Sequence, residues 1–180
     1  MNRRSFVGST VGLIAVSGMT PISSANPLND TLPRVETRLA GLPLKELREV
    51  YRRDLFDDYL PFVDRHVIDH ELGGFMCNVD YTGERVNDNK LSWFEGRGTW
   101  VYAFLYNNLA KEQKYLDIAR KSIEFVLKSR PESENELWPK ELTRDGKPLT
   151  SADGEIYGDL FIAEGLAEFS KATGEQKYWT

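Results

Sequence analysis

Cysteine is almost absent from this chain: Cys77 stands alone among 180 residues. No intrachain disulfide can form, and no cysteine-based zinc site can be assembled from one thiol. Histidine is nearly as scarce, with only His66 and His70. They lie four apart, yet no HExxH pattern surrounds them and no further placed ligand follows, so the sequence carries no metal site and calls for no cofactor. Basic runs are missing too. Lys and Arg number 23 against 28 Asp and Glu, for a net charge of −5, which leaves nothing to track a phosphate backbone and excludes nucleic acid as a partner. Long apolar runs are also lacking, since the stretch from Val7 to Met19 is too short to span a bilayer.

What is present is the composition of a globular chain, 41% hydrophobic and 12% aromatic, enough to build a core. Residues 1–25 stand apart from it. Arg3-Arg4, the short apolar run and Ser23-Ser24-Ala25 make a signal-peptide pattern with cleavage after Ala25. The paired arginines followed by Ser5 and Phe6 fit the twin-arginine route, with Sec export as the alternative. Either route predicts a periplasmic or secreted protein that leaves the membrane once the signal is removed. Residues 26–43, polar and punctuated by Pro27 and Pro43, read as a lead-in segment, and residues 44–180 as the folded domain.

From Leu44 onward, Leu47, Tyr51, Leu55, Tyr59, Phe62 and Val63 recur at three- and four-residue spacing between charged residues, which predicts an amphipathic helix ending near His70. Gly73-Gly74 interrupts it, and Tyr81-Thr82-Gly83-Glu84 predicts a short hairpin or an extended loop with Gly at the turn. A second helix begins near Trp93. Between Gly96 and Ala110 its only charge is Arg97, so it is expected to be buried on most of its circumference. From Lys111 to Arg130 nine charges appear while Tyr115, Ile118, Ala119, Ser122, Phe125 and Val126 keep one apolar stripe, the pattern of a helix with one wet side.

The same order then recurs. Gly83 pairs with Gly146 at an offset of 63 residues, and that offset also aligns Glu112-Gln113-Lys114-Tyr115 with Glu175-Gln176-Lys177-Tyr178. Each unit holds a hairpin, a charge-poor inner helix and a charge-rich outer helix, and one unit cannot bury its inner helix alone. A ring of helical hairpins satisfies that need. Six such units require roughly 380 residues, so the chain is expected to be an incomplete N-terminal part of a ring, truncated at its C-terminus.

Arg97 is the candidate catalytic residue. Trp93, Trp100 and Val101 share its helix face by spacing. A guanidinium among aromatic residues either pairs, with Glu95 or Asp159 as partners, or lines a polar cavity where its fixed donors stabilise a developing oxyanion. Asp159, early in the second charge-poor helix beside Tyr157, either binds a ligand or answers the helix dipole. Trp93, Trp100 and Tyr157 could stack on sugar faces, as could Tyr102, Tyr106 and Trp138, although aromatics at helical spacing also build cores. The hairpin aspartates Asp80, Asp88, Asp145 and Asp153 could supply paired carboxylates, but turn chemistry explains most of them.

Gly73-Gly74-Phe75, Asp80-x-x-Gly83, Lys90-x-x-Trp93-x-x-Gly96-Arg97-x-x-Trp100 and Leu105-Tyr106 together resemble the N-acylglucosamine 2-epimerase family. Thr143 to Pro148, Ile156 to Phe161 and Ala172-Thr173-Gly174-Glu175 resemble its second block, so the likeness covers residues 44–178. It implies an all-α fold, an (α/α)6 toroid with short β-hairpin loops. It also implies a sugar 2-epimerase or aldose-ketose isomerase that moves the C2 proton through an enediolate, using two histidines as acid and base. Arg97 falls on the family's sugar-binding arginine, while Asp159 stands where many members have Glu. His66 and His70 match neither catalytic histidine, so the chain alone is expected to be inactive. The partner implied is a small sugar, with a homodimer left open. An (α/α)6 glycoside hydrolase using paired carboxylates and a noncatalytic carbohydrate-binding protein are the alternatives.

Overall fold

A computed structural model of the chain describes residues 36–133, 135–150 and 156–178. The signal-peptide pattern, most of the lead-in and Asp153 lie outside the described residues. The chain divides into two compact units at Pro43. In the first, β1 (Arg38–Leu39) pairs antiparallel with β2 (Leu42–Pro43), Arg38 standing opposite Pro43. Ala40 and Gly41 both take positive φ, 50° and 79°, the turn whose twist suits two adjacent strands. The lead-in therefore ends in a hairpin that the sequence reading does not assign.

The second unit opens with a helical rod: α1 (Leu44–Arg53), a π-helical segment (Asp54–Tyr59) and α2 (Leu60–His66). The widened segment has a local cause. Pro61 has no N–H to give, and its ring clashes with the carbonyl four residues back in a regular helix. Immediately before it, the Leu60 N–H bonds five residues back to the Leu55 carbonyl, which shifts that register. The expected apolar stripe is only half used. Leu60 and Val63 enter the core, whereas Leu44, Tyr51 and Tyr59 are 49%, 66% and 60% exposed. The described residues of this unit cover only the C-terminal half of the rod.

Two hairpins follow the 63-residue repeat. Val79 bridges Arg85 in the first and Leu142 bridges Pro148 in the second. Gly83 and Gly146 sit at matching turn positions with φ of 90° and 92°, where a Cβ would be strained. The backbone bonds match as well: Gly83 N–H to Asp80 O at 3.0 Å and Gly146 N–H to Thr143 O at 2.9 Å. The hairpins are joined by β3 (Lys90–Leu91) pairing antiparallel with β4 (Glu141–Leu142).

Three helices carry the core: α3 (Ser92–Asn108), α4 (Gln113–Val126) and α5 (Tyr157–Thr173). Helix α3 packs against both of the others. Its approach to α5 runs through two glycines, since a Cβ on Gly165 would lie 2.6 Å from the Gly96 carbonyl oxygen and one on Gly96 would lie 2.4 Å from Ile162 N. Helix α4 buries the predicted stripe, with Tyr115, Ala119, Ser122, Phe125 and Val126 inside and its charges outside. Helix α3 departs from expectation. It buries Glu95, Gly96, Thr99, Tyr102, Ala103 and Leu105, but Trp93, Val101, Phe104 and Tyr106 are half-buried and Arg97 is exposed. Its two helical neighbours cover two sides and leave the third open. No helix among the described residues is long and apolar enough to cross a membrane.

Candidate functional site

The open side of α3 faces the helical rod across a cavity of about 320 Å³. Trp93, Phe94, Arg97 and Val101 border it from α3, and Tyr59, Leu60 and Val63 from the rod. Phe75 and Tyr102 form its floor, their rings stacked at 5.6 Å and 21°. Among the described residues, Arg97 is the one charged residue in this lining. Its guanidinium carbon lies 5.9 Å from the centre of the Phe161 ring on α5, within cation–π reach.

Neither proposed counter-ion reaches Arg97. Glu95 is fully buried and turned the other way: both carboxylate oxygens accept from the Phe75 N–H at 2.9 and 3.1 Å, and the Ser122 hydroxyl donates to one at 3.0 Å. The Asp159 carboxylate accepts from the Trp138 N–H, at 3.3 Å to each oxygen. No carboxylate among the described residues forms an ion pair with Arg97, so its five donors are available to a ligand.

Of the five residues singled out, the cavity gathers two, Arg97 and Trp93. The Trp93 ring lies 6.3 Å from Phe161 and 5.4 Å from Phe94. Trp100 is not in the lining and stacks on Phe104 at 4.9 Å. The cavity centres on the Phe94 and Val101 side of Arg97, and a residue three places further on lies beyond that edge at 100° per residue. The shared face expected for Trp93, Arg97 and Trp100 is thus split. Tyr157 is 66% exposed at the start of α5, and Asp159 fastens α5 to the Trp138 backbone ahead of β4. The histidines stand apart. His66 packs against Phe62 at 4.8 Å and against the Gly83 turn, while His70 Nε2 lies 2.9 Å from the Asp64 carbonyl oxygen. The described hairpin aspartates serve local contacts, Asp80 accepting from Thr82 and Glu84, Asp145 from Thr143, and Asp88 pairing with Arg85 at 3.5 Å.

A buried polar cluster beneath the cavity is absent from the sequence reading. Lys90 is wholly buried, its ammonium donating to Asp69 Oδ2 at 3.0 Å, the Gly73 carbonyl at 2.6 Å and the Arg144 carbonyl at 3.2 Å. It also sits 4.1 Å above the Phe125 ring. Asp69, 1% exposed, takes a two-pronged bond from Arg144 at 2.9 and 3.0 Å. Burial opposes the charge on Asp69, but hydrogen bonds from Arg144, the Leu72 N–H and Lys90 outweigh it and hold the carboxyl well below its usual range. Burial lowers the Lys90 pKa, with Asp69 and Glu95 resisting. Burial also pushes Glu95 up to about 8, against the Phe75 N–H, the charge of Lys90 and the Ser122 hydroxyl. The cluster braces the site: Glu95 holds the Phe75 backbone, and the Phe75 ring is the cavity floor. Lys90, a long cation three residues before an aromatic helix, was the only available signal.

The arrangement offers one free cation and several aromatic faces. Among the described residues, no histidine and no carboxylate lines it.

No family model matches the chain. It is 30% identical over 153 residues to N-acylglucosamine 2-epimerase of Homo sapiens, a match covering 78% of this chain and 36% of that protein. It is 27% identical over 143 residues to cellobiose 2-epimerase of Dictyoglomus turgidum, covering 76% and 34%. Among solved structures, a sugar epimerase from a ruminal bacterium superposes with a TM-score of 0.65 at 24% identity, over 73% of this chain and 33% of that one. Cellobiose 2-epimerase from Bacillus thermoamylovorans gives 0.65 at 23%, over 75% and 34%. The chain spans about a third of the length of the relatives it matches. With the repeat and its inner and outer helices in place, the chain folds as part of an (α/α)6 toroid and is similar over about three quarters of its length to N-acylglucosamine 2-epimerases and cellobiose 2-epimerases.

Proposed function

We propose that the protein acts on a free reducing sugar as a 2-epimerase or aldose-ketose isomerase, with Arg97 stabilising the enediolate formed when the C2 proton leaves. The observation that carries this reading is the Arg97 guanidinium, free of carboxylates, at the rim of an aromatic-walled cavity of about 320 Å³, in a chain whose relatives bear epimerase names. Removing a proton next to a carbonyl places negative charge on oxygen, and fixed donors aimed at that oxygen lower the barrier. Trp93 and Phe94 present faces on which the C–H side of a pyranose packs. A glycoside hydrolase needs two carboxylates flanking the bond, and none among the described residues borders this cavity.

The proton itself needs a base. His66 and His70 are the chain's two histidines, and neither borders the cavity, so the 180-residue chain is expected to bind sugar without exchanging its C2 proton. The test pairs two measurements on the purified chain in deuterated water: tryptophan fluorescence titrated with N-acetylglucosamine, cellobiose or mannose, and the C2–H signal of each sugar by NMR. A saturable fluorescence change that disappears in Arg97→Ala, with the C2–H signal intact, is expected. Binding that persists in Arg97→Ala overturns the role of Arg97. Exchange by the chain alone overturns the reasoning about the base.

Export is part of the same proposal, resting on the Arg3-Arg4 pattern and the Ala25 cleavage site. Residues 1–25 fused to a reporter that works only after folded export should direct it out of the cytoplasm, and Arg3→Lys with Arg4→Lys should retain it. The exposed Ile156, Tyr157 and Leu160 support a homodimer, which sedimentation velocity reads as a doubled mass.

A further inference from the structure

Glu95 does not border the Arg97 cavity, yet it grips the residue that floors it. Its side chain is wholly buried, and both carboxylate oxygens accept from the Phe75 N–H, at 2.9 and 3.1 Å. Two glycines make the grip close. A Cβ on Gly74 would overlap the Glu95 carboxylate, and one on Gly98 would overlap the Phe75 ring. Gly98 follows Arg97 on α3, and both border the cavity together with Phe75. One line of contacts therefore runs from the Glu95 carboxylate, through the Phe75 backbone and ring, to the turn of helix that carries the guanidinium.

The same contacts accommodate two states of Glu95. Ser122 Oγ on α4 lies 3.0 Å from Glu95 Oε2 and 3.3 Å from the Glu95 carbonyl oxygen. With Glu95 neutral, its O–H donates to Ser122 Oγ, the Ser122 hydroxyl donates to the carbonyl, and Oε1 accepts from the Phe75 N–H, so every donor is placed. With Glu95 ionised, the Ser122 hydroxyl turns to Oε2 and a full charge sits in the dry interior. Lys90 on β3 favours that charge and Asp69, after the rod, opposes it; Cys77, two residues past Phe75, feels it as well. Burial outweighs the favourable contacts and sets the exchange between the two states at about pH 8.

We propose that Glu95 is a positioning residue for the sugar site and acts through Phe75: its neutral form keeps the ring seated against Gly98 as the cavity floor, and its ionisation releases the Gly74-Phe75 backbone and loosens the hold on the sugar. A carboxylate charged in a dry interior draws water to itself by local opening, and the segment bonded to it is the one that carries the floor. The inference rests on the reading of the Arg97 cavity as a sugar site.

The test repeats the fluorescence titration of the purified chain with N-acetylglucosamine, cellobiose and mannose from about pH 6.5 to about pH 9, with circular dichroism at each step verifying that the chain is folded. At about pH 9 roughly a tenth of Glu95 is still neutral, so the Kd of the bound sugar should rise about tenfold over the range, with its midpoint at about pH 8. Glu95→Gln mimics the neutral acid and can still accept from the Phe75 N–H; it should bind as the parent does at about pH 6.5 and show no slope. Ser122→Ala alters no residue of the cavity lining, but it removes a donor that lowers the Glu95 pKa. Its midpoint should move upward, which a merely structural role for Glu95 does not predict. A flat parent profile, the same slope in Glu95→Gln, or an unmoved midpoint in Ser122→Ala overturns this inference and leaves the sugar reading standing. No saturable binding to the parent at any pH overturns both.

Discussion

Glu95 should make this protein lose stability as pH rises through neutrality. Burial lifts its pKa from 4.5 to about 8. Between those values the folded chain holds a proton that the unfolded chain has released, so the stabilisation is complete below about pH 4.5 and is lost as pH climbs toward 8. Each unit in that window removes up to about 1.4 kcal/mol. From pH 6.0 to 7.5 the loss is about 2 kcal/mol, a large share of the stability of a small domain. Urea denaturation at half-unit steps from pH 5.5 to 8 reads it directly. Glu95→Gln keeps the shape and can still accept from the Phe75 N–H, but it cannot ionise. Its stability should therefore be nearly flat over the same range, and should exceed that of the parent at pH 7.5. A parent with no slope, or a Glu95→Gln variant with the same slope, refutes the assignment.

The other buried groups give further expectations. Asp69 has a depressed pKa, so its contribution is present above the ordinary carboxylate value and is lost as pH falls below about 4; Asp69→Asn should remove that acid limb from the same denaturation series. Lys90→Met should destabilise by about 3 kcal/mol in urea, because it strips a buried cation from Asp69 and from two carbonyls at once. Gly165→Ala should cost about 1–3 kcal/mol, since its new methyl lies 2.6 Å from the Gly96 carbonyl oxygen; Ala163→Gly on the exposed side of α5 should lower the melting temperature much less.

Much of the architecture was legible because the signals were periodic. The stripe of α4, the start of the rod at Leu44 and the 63-residue repeat from Gly83 to Gly146 all appear in the structure where the residues place them. Arg97 was legible for the same reason, as one charge in a charge-poor helix. The π-helical segment was not read, although Pro61 inside an otherwise regular pattern announces it. The polar cluster was harder. Lys90, Asp69 and Arg144 are separated by up to 75 positions, and composition treats each as a surface charge until the fold brings them together. Trp100 shows the limit of spacing arguments: three residues from Arg97 places it near the same face, and only the position of the rod decides on which side of the cavity edge it falls.

The bond from Arg144 to Asp69 ties the second repeat to the turn that follows the rod, and the short ladder between Lys90-Leu91 and Glu141-Leu142 joins the second repeat to the first. Tandem arrays usually come apart link by link, each module melting at its own temperature. Here the seam is stapled by charge at its driest point, so opening either module strands an ion inside the other. Heating should consequently show one sharp transition from α1 to α5, and the smallest independently folding piece of the chain should be the pair, never the single module.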